Sequence, residues 1–224
     1  MKSTVKKVVI AIDGPSASGK STVAKAVAEA LQYCYVDTGA MYRAVAWKCL
    51  EEEIDTADSK AVVKLLGKID LTVGFEGGQS QVLVDGFDPG ARIRSEAVSS
   101  AVSRVSAIPQ VRKRLVAEQR ALRKHGDLVM EGRDIGTVVF PETPFKFFVD
   151  ASPKVRAQRR AAELRASRDQ IAKTLEQRDR HDSTRAASPL KAAADAVQID
   201  TSDKSVEAVV DLILKHIRTR HFSA

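Results

Sequence analysis

Apolar positions along the chain fall into two recurring patterns. Five short segments are continuous, rich in β-branched or aromatic residues and bounded by polar turns: Val5–Asp13, Tyr33–Asp37, Leu128–Glu131, Phe145–Asp150 and Ala196–Asp200. Buried strands have this character. Longer stretches carry apolar residues three and four apart, as amphipathic helices do: Lys20–Leu31, Gly39–Glu53, Pro109–His125, Pro153–Ser167, Gln170–Ala187 and Ser205–Thr219. Helices between strands imply parallel pairing through right-handed crossovers. The prediction is an α/β fold, a parallel five-stranded sheet flanked by helices. Its ligands should lie outside the carboxyl ends of the strands.

One region breaks the alternation. The runs 71–75 and 81–86, joined by Glu76-Gly77-Gly78-Gln79-Ser80, read as two strands and a glycine turn. Ser95 is placed to cap a following helix. The stretch from about 69 to 107 is therefore expected to be a small insertion between two βα units, suited to holding a second substrate.

Residues Gly14, Pro15, Ser16, Ala17, Ser18, Gly19, Lys20 and Ser21 satisfy G-x-x-x-x-G-K-[ST], and Thr22 follows. The motif lies between the first strand and the first helix, the context it requires. Its glycines allow a tight turn whose N–H groups, with the helix N-terminus, cradle a polyphosphate. Lys20 would reach the outer phosphates and the Ser21 hydroxyl would ligate Mg²⁺. A fold of the P-loop NTPase type follows.

Composition adds limits. The chain has 224 residues, 44% hydrophobic and 29% charged, as an ordinary soluble globule has. Its apolar runs are too short to span a bilayer, and the N-terminus lacks a signal-peptide core. Cys34 and Cys49 lack zinc spacing and sit among apolar residues, which predicts free thiols in a reducing cytoplasm. Of the net charge of +7, an excess of five lies in residues 154–185, with ten Lys/Arg against five Asp/Glu. A basic cluster suits an anionic partner. This one contains no aromatic residue, which argues against base-stacking nucleic-acid binding.

The other predicted strand ends carry candidate chemistry. Thr38 is expected to cap the helix beginning at Gly39, with Arg43 one turn further in, so that hydroxyl, helix N–H groups and guanidinium form a second anion site. Arg133 and Asp134 follow the third strand; Arg133 could fork a phosphate and Asp134 accept from an amino group. The plainer alternative is an ion pair between the two that holds the turn. Arg156, Arg159 and Arg160 share one helix face, as do Arg178, Asp182 and Arg185. His125, His181, His216 and His221 are scattered, and Trp47 sits among apolar positions. Candidate bases are few and arginines many. That balance favours transfer to an anionic acceptor over hydrolysis, because a phosphate acceptor is already largely ionised at neutral pH.

Taken together, GPSASGKST at 14–22, DTGAMYR at 37–43, EGRDIGT at 131–137, RAQRR at 156–160 and RDRHDSTRAASPL at 178–190 resemble bacterial cytidylate kinase. VLVDG and RIRSEAVS in the inserted region extend the resemblance over nearly the whole chain. It implies ATP-dependent phosphorylation of CMP and dCMP by a single kinase domain, with a monophosphate-binding insertion near 69–107 and a lid within about 153–187. Gly14 to Thr22 would hold ATP, and Ser21 the metal. Thr38, Arg43, Arg133 and Arg185 would contact the acceptor phosphate. Asp134, Ser103 and Arg112 would face cytosine, and Arg178 and Asp182 the ribose and phosphate. Arg156, Arg159 and Arg160 would belong to the lid, and Lys20, Arg133, Arg156 and Arg160 would act on the transferring group. Glu131 stands where some relatives have Asp. The implied partners are small nucleotides, with no nucleic acid or membrane, and the implied state is a cytoplasmic monomer. Alternatives are a related kinase for UMP, AMP or shikimate, and a nucleotide-switched RNA binder.

Overall fold

The computed structural model describes residues 7–164 and 167–221. Val5 and Lys6 of the first expected strand, and Arg165 and Ala166 of one expected helix, lie outside them. In chain order the strands are β1 (Val9–Asp13), β2 (Cys34–Asp37), β3 (Leu71–Glu76), β4 (Gln79–Val84), β5 (Leu128–Gly132), β6 (Phe145–Asp150) and β7 (Val197–Asp200). They form one sheet in the order β3-β4-β2-β5-β1-β6-β7.

The five expected strands are the parallel part, β2-β5-β1-β6-β7. Along β1, Ile10 and Ile12 pack toward one layer of helices while Val9 and Ala11 pack toward the other. Burial on both faces explains the unbroken apolar run. The first layer is α1 (Lys20–Leu31) and α8 (Val206–His221), which bring Val23, Val27, Val209 and Ile213 onto the sheet. Those helices come from the two ends of the chain.

The insertion does not stand apart from this sheet. β3 and β4 form an antiparallel hairpin whose turn residues Gly77 and Gly78 both have positive φ, 55° and 78°, as a tight two-residue hairpin turn requires. The hairpin then joins the edge of β2: Tyr35 N–H donates to the Gly78 carbonyl at 2.8 Å and Asp37 N–H to Ser80 Oγ at 3.1 Å. An edge strand with free N–H groups is a natural place for such an addition.

Beyond it, α2 (Thr38–Glu51), α3 (Ser59–Leu66), α4 (Glu96–Ala107) and α5 (Pro109–Ala121) share one apolar core that includes Met41, Val45, Val62, Val98, Val105 and Leu115. The short helix α3 is absent from the expected elements. Asp58 caps it by accepting from the N–H groups of Lys60 and Ala61, and it buries only Val62, Leu65 and Leu66. Last, α6 (Pro153–Leu164) and α7 (Arg168–Thr184) pack on each other through Ala157, Ile171 and Leu175, with Ala17 of the glycine loop against them. Among the described residues no helix is long and apolar enough to cross a membrane.

Candidate active site

The carboxyl ends of β1, β2 and β5 open into a cavity of about 410 Å³. One end is the loop between β1 and α1. The loop fits its place closely: a Cβ on Gly14 would fall 2.0 Å from the Val149 carbonyl oxygen of β6. Gly19, at φ 88°, ends the loop as the residue preceding α1. Lys20 is buried and its Nζ donates to the Pro15 carbonyl at 2.9 Å. Burial, then the nearby Arg133 guanidinium, lower its pKa to about 7. Ser21 Oγ donates to Glu131 Oε2 at 2.8 Å.

Arg156 and Arg159 grip the loop from outside the cavity. Arg156 donates to the carbonyls of Ala151 and Ser16, at 3.0 and 3.3 Å, and pairs with Asp179. Arg159 donates to the Ser18 carbonyl at 3.3 Å and to Thr201. Neither lines the cavity, nor do Gly14, Pro15 and Ser18. Arg160, on the same helix, does line it and is paired with Glu163 at 2.8 Å.

The middle of the cavity is crowded with cations. Arg133 reaches Ser16 Oγ at 2.8 Å and Asp182 Oδ2 at 3.0 Å. The alternative reading, a turn-holding pair with Asp134, does not form, because Arg133 meets Asp182 and Ser16 while Asp134 meets Arg112. Arg178 lines the cavity and its Nε has no hydrogen-bond partner. Burial, with Arg133 and Arg43 nearby, lowers its pKa to about 10. Lys20, Arg43, Arg133 and Arg178 thus repel one another across a common space. Such crowding is costly until an anion enters it.

At the N-terminus of α2 the cap is Asp37, not Thr38: the carboxylate accepts from Ala40 N–H at 3.0 Å. A carboxylate outcompetes the hydroxyl because it also meets Arg94 at 2.9 Å and Arg43 at 3.9 Å. Burial is the largest single influence on Asp37 and acts to raise its pKa, but Arg43, Arg94 and the Ala40 N–H together outweigh it and hold the carboxylate below its usual range. Thr38 opens the helix, and its hydroxyl donates to the Glu131 carbonyl at 2.7 Å.

The far end is built on Asp134. It pairs with Arg112, lies 3.9 Å from Arg185, and is buried with both. Arg112 also donates to the Ser106 carbonyl at 3.2 Å and lies over the Tyr42 ring. Ser103 lines this end, while its carbonyl meets His181 Nε2 at 2.9 Å, linking α4 to α7. Asp182 sits between Arg133 and Arg185, which hold it below its usual range although burial acts in the opposite direction.

This cavity holds a phosphate loop, a second helix N-terminus and a buried Arg–Asp–Arg cluster, all on one chain. A family model described as cytidylate kinase matches residues 10–219. The chain belongs to the cytidylate kinase family. Curated cytidylate kinases align over nearly the full length of both chains. That of Pelotomaculum thermopropionicum is 48% identical, over 93% of this chain and 95% of its own. Those of Streptomyces avermitilis and a Geobacillus species are 44% and 45% identical, each over 94% of this chain and over 93% and 96% of their own.

Of the residues the sequence singles out, the cavity of this cytidylate kinase family member brings together Ser16, Ala17, Gly19, Lys20, Ser21, Thr22, Thr38, Arg43, Ser103, Arg112, Arg133, Asp134, Arg160, Arg178, Asp182 and Arg185. Asp37, Tyr42, Arg94 and Ser106 also line it and are not among the predicted residues. Arg94 had one available signal, its place just before the Ser95 cap. Asp13 is a further addition. It ends β1 and accepts from Ile135 and Gly136 N–H groups, both at 2.8 Å, fixing the turn that carries Arg133 and Asp134. Burial raises its pKa to about 7.

Proposed function

We propose that this protein transfers the terminal phosphoryl group of ATP to CMP, and to dCMP, giving ADP and the nucleoside diphosphate. The observation that carries this reading is the continuity of the cavity: the phosphate loop, four mutually repelling cations and the Asp134 cluster line a single space. The loop and Lys20 hold the donor. Arg43, Arg133 and Arg178 meet the acceptor phosphate and the transferring group, and Asp182 and Arg185 aim them. Asp134 accepts the exocyclic amine of cytosine, with Arg112 and Ser103 beside it. Uracil has a carbonyl where cytosine has that amine, so a buried carboxylate discriminates against it.

No general base is required, because the acceptor phosphate enters largely ionised. The barrier lies in bringing two anions together and stabilising charge on the group in flight, which fixed cations in a water-poor space do well. Arg160 stands nearest of the three lid arginines to that task. Arg156 and Arg159 set the shape of the loop.

Mg²⁺ fits the donor set. The Ser21 hydroxyl faces the cavity with the Glu131 carboxylate behind it. One hydroxyl and substrate phosphates are the usual company of a magnesium ion that keeps several waters. When bound it neutralises phosphate charge and orients the donor. The insertion near 69–107 serves the monophosphate and the α6–α7 segment acts as lid. The protein is read as a cytoplasmic monomer, a setting that free Cys34 and Cys49 suit. Phosphorus NMR of CMP mixed with Mg-ATP and the protein tests the reaction: CDP and ADP should appear together in equal amounts, and ADP without CDP would contradict it.

A further inference from the structure

Tyr35 takes no part in the reading above, yet it is tied to the metal-facing side of the cavity. It lies in β2, 4% exposed, beneath the start of α1. On the β2–β5 ladder Tyr35 stands opposite Val129 and Asp37 opposite Glu131. Tyr35 and Glu131 therefore share one face of the sheet, two residues apart along the strand. The phenol donates a hydrogen bond to Glu131 Oε1, and Ser21 Oγ donates to Oε2 at 2.8 Å. Each oxygen of this buried carboxylate thus has one donor. Burial and the Glu131 charge push the phenol far above its usual range, so it stays protonated and keeps donating. The Lys25 ammonium lies 5.3 Å from the centre of the ring and helps fix its place.

The consequence falls on Ser21. Its hydroxyl proton is committed to Glu131, so its lone pairs are turned to the cavity. We propose that Tyr35 is a positioning residue: by holding Glu131 it sets the Ser21 hydroxyl so that the oxygen is offered to the cation that accompanies ATP. Phenylalanine at this position would keep its place in the apolar cluster that includes Val23 and Val129. It would leave one carboxylate oxygen buried and unpaired, free the carboxylate to turn, and release the Ser21 hydroxyl from one orientation. This inference rests on the assignment of Ser21 as the metal-facing hydroxyl.

The test is Tyr35→Phe in the full chain, with Ser21→Ala as reference. Mn²⁺ binding to the protein with a non-hydrolysable ATP analogue is followed by electron paramagnetic resonance, and the Mg²⁺ dependence of the rate is measured at saturating CMP. Tyr35→Phe should weaken Mn²⁺ binding and raise the half-saturating Mg²⁺ about tenfold, as loss of an outer-shell partner does. The KM for CMP at saturating Mg²⁺ should not move. In a Ser21→Ala background the same change should add nothing, because both act through one hydroxyl. Glu131→Gln, which keeps the shape, should reproduce the effect. If Ser21→Ala weakens Mn²⁺ binding but Tyr35→Phe and Glu131→Gln lower only the melting temperature, the role of Tyr35 is refuted while that of Ser21 stands. If Ser21→Ala leaves Mn²⁺ binding unchanged, both are wrong.

Discussion

Arg133 Nε donates to Asp182 Oδ2 at 3.0 Å, so a carboxylate on α7 aims the arginine at the end of β5 toward the phosphate loop. The same guanidinium reaches Ser16 Oγ at 2.8 Å. One side chain therefore joins the end of β5, the phosphate loop and α7. Asp182→Asn keeps the volume and removes the charge that holds Arg133. A charge-assisted hydrogen bond of this kind contributes about 1.5–3 kcal/mol, so kcat/KM for CMP should fall roughly tenfold to a hundredfold. Steady-state kinetics decide it, and a loss confined to the KM for ATP would place Asp182 on the donor side.

Lys20→Met should abolish turnover and leave the fold intact. The lysine side chain is buried against Pro15, and methionine can occupy that space, but nothing else in the loop replaces the charge. Circular dichroism and rate together check this. A folded variant with a near-normal rate would remove the loop lysine from the mechanism.

Nucleotide binding should take up a proton above neutral pH. Lys20 has its pKa lowered from 10.5 to about 7, first by burial and then by Arg133. Phosphates beside it favour the charged form, so protein that is partly neutral at pH 8 becomes protonated on binding. Calorimetry in buffers of different ionisation enthalpy reads the uptake directly. It should vanish in Lys20→Met; an unchanged uptake would assign the proton elsewhere.

Asp13 makes the opposite prediction for stability. Its pKa is raised from 3.8 to about 7, chiefly by burial. Between those values the folded protein holds a proton that the unfolded chain does not. Its stabilising contribution is present below the lower value and is lost as pH rises to the upper one. Asp13→Asn should flatten that part of the urea-stability profile. It should also destabilise the protein by about 1–3 kcal/mol, since an amide cannot accept from both Ile135 and Gly136. An unchanged pH slope would show that Asp13 does not titrate there.

Asp134→Asn tests base recognition. The amide would turn a donor toward cytosine's amine or toward Arg112, leaving a polar group unsatisfied at a cost of about 1–3 kcal/mol for CMP. The ratio of kcat/KM for CMP to that for UMP should drop accordingly. An unchanged ratio would remove Asp134 from selectivity.

The parallel core was legible because its physics is local. Val8 to Ile12 is apolar throughout, and both of its faces are covered. The helix Lys20–Leu31 has the bounds its periodicity predicts. The short helix Ser59–Leu66 was not, since three buried residues make too small a periodic signal. The hairpin's attachment to Tyr35 and Asp37 depends on an exposed strand edge, which no stretch of sequence displays. At the site, motif residues converge as their spacing suggests, but pairings do not follow from spacing. Asp37 takes the cap from Thr38 because two arginines from different elements meet it. Arg133 and Asp134, adjacent in sequence, point to separate partners. Arg156, read as a lid cation, is spent on the backbone of Ala151 and Ser16.

The central claim is that one cavity joins ATP to a cytidine monophosphate acceptor. A coupled ADP-release assay with Mg-ATP tests it most directly, comparing CMP, dCMP, UMP, AMP and no acceptor. Rapid ADP release with CMP and dCMP, and little with the others, is the predicted result. ADP release without an acceptor, or equal rates for all four monophosphates, would contradict it.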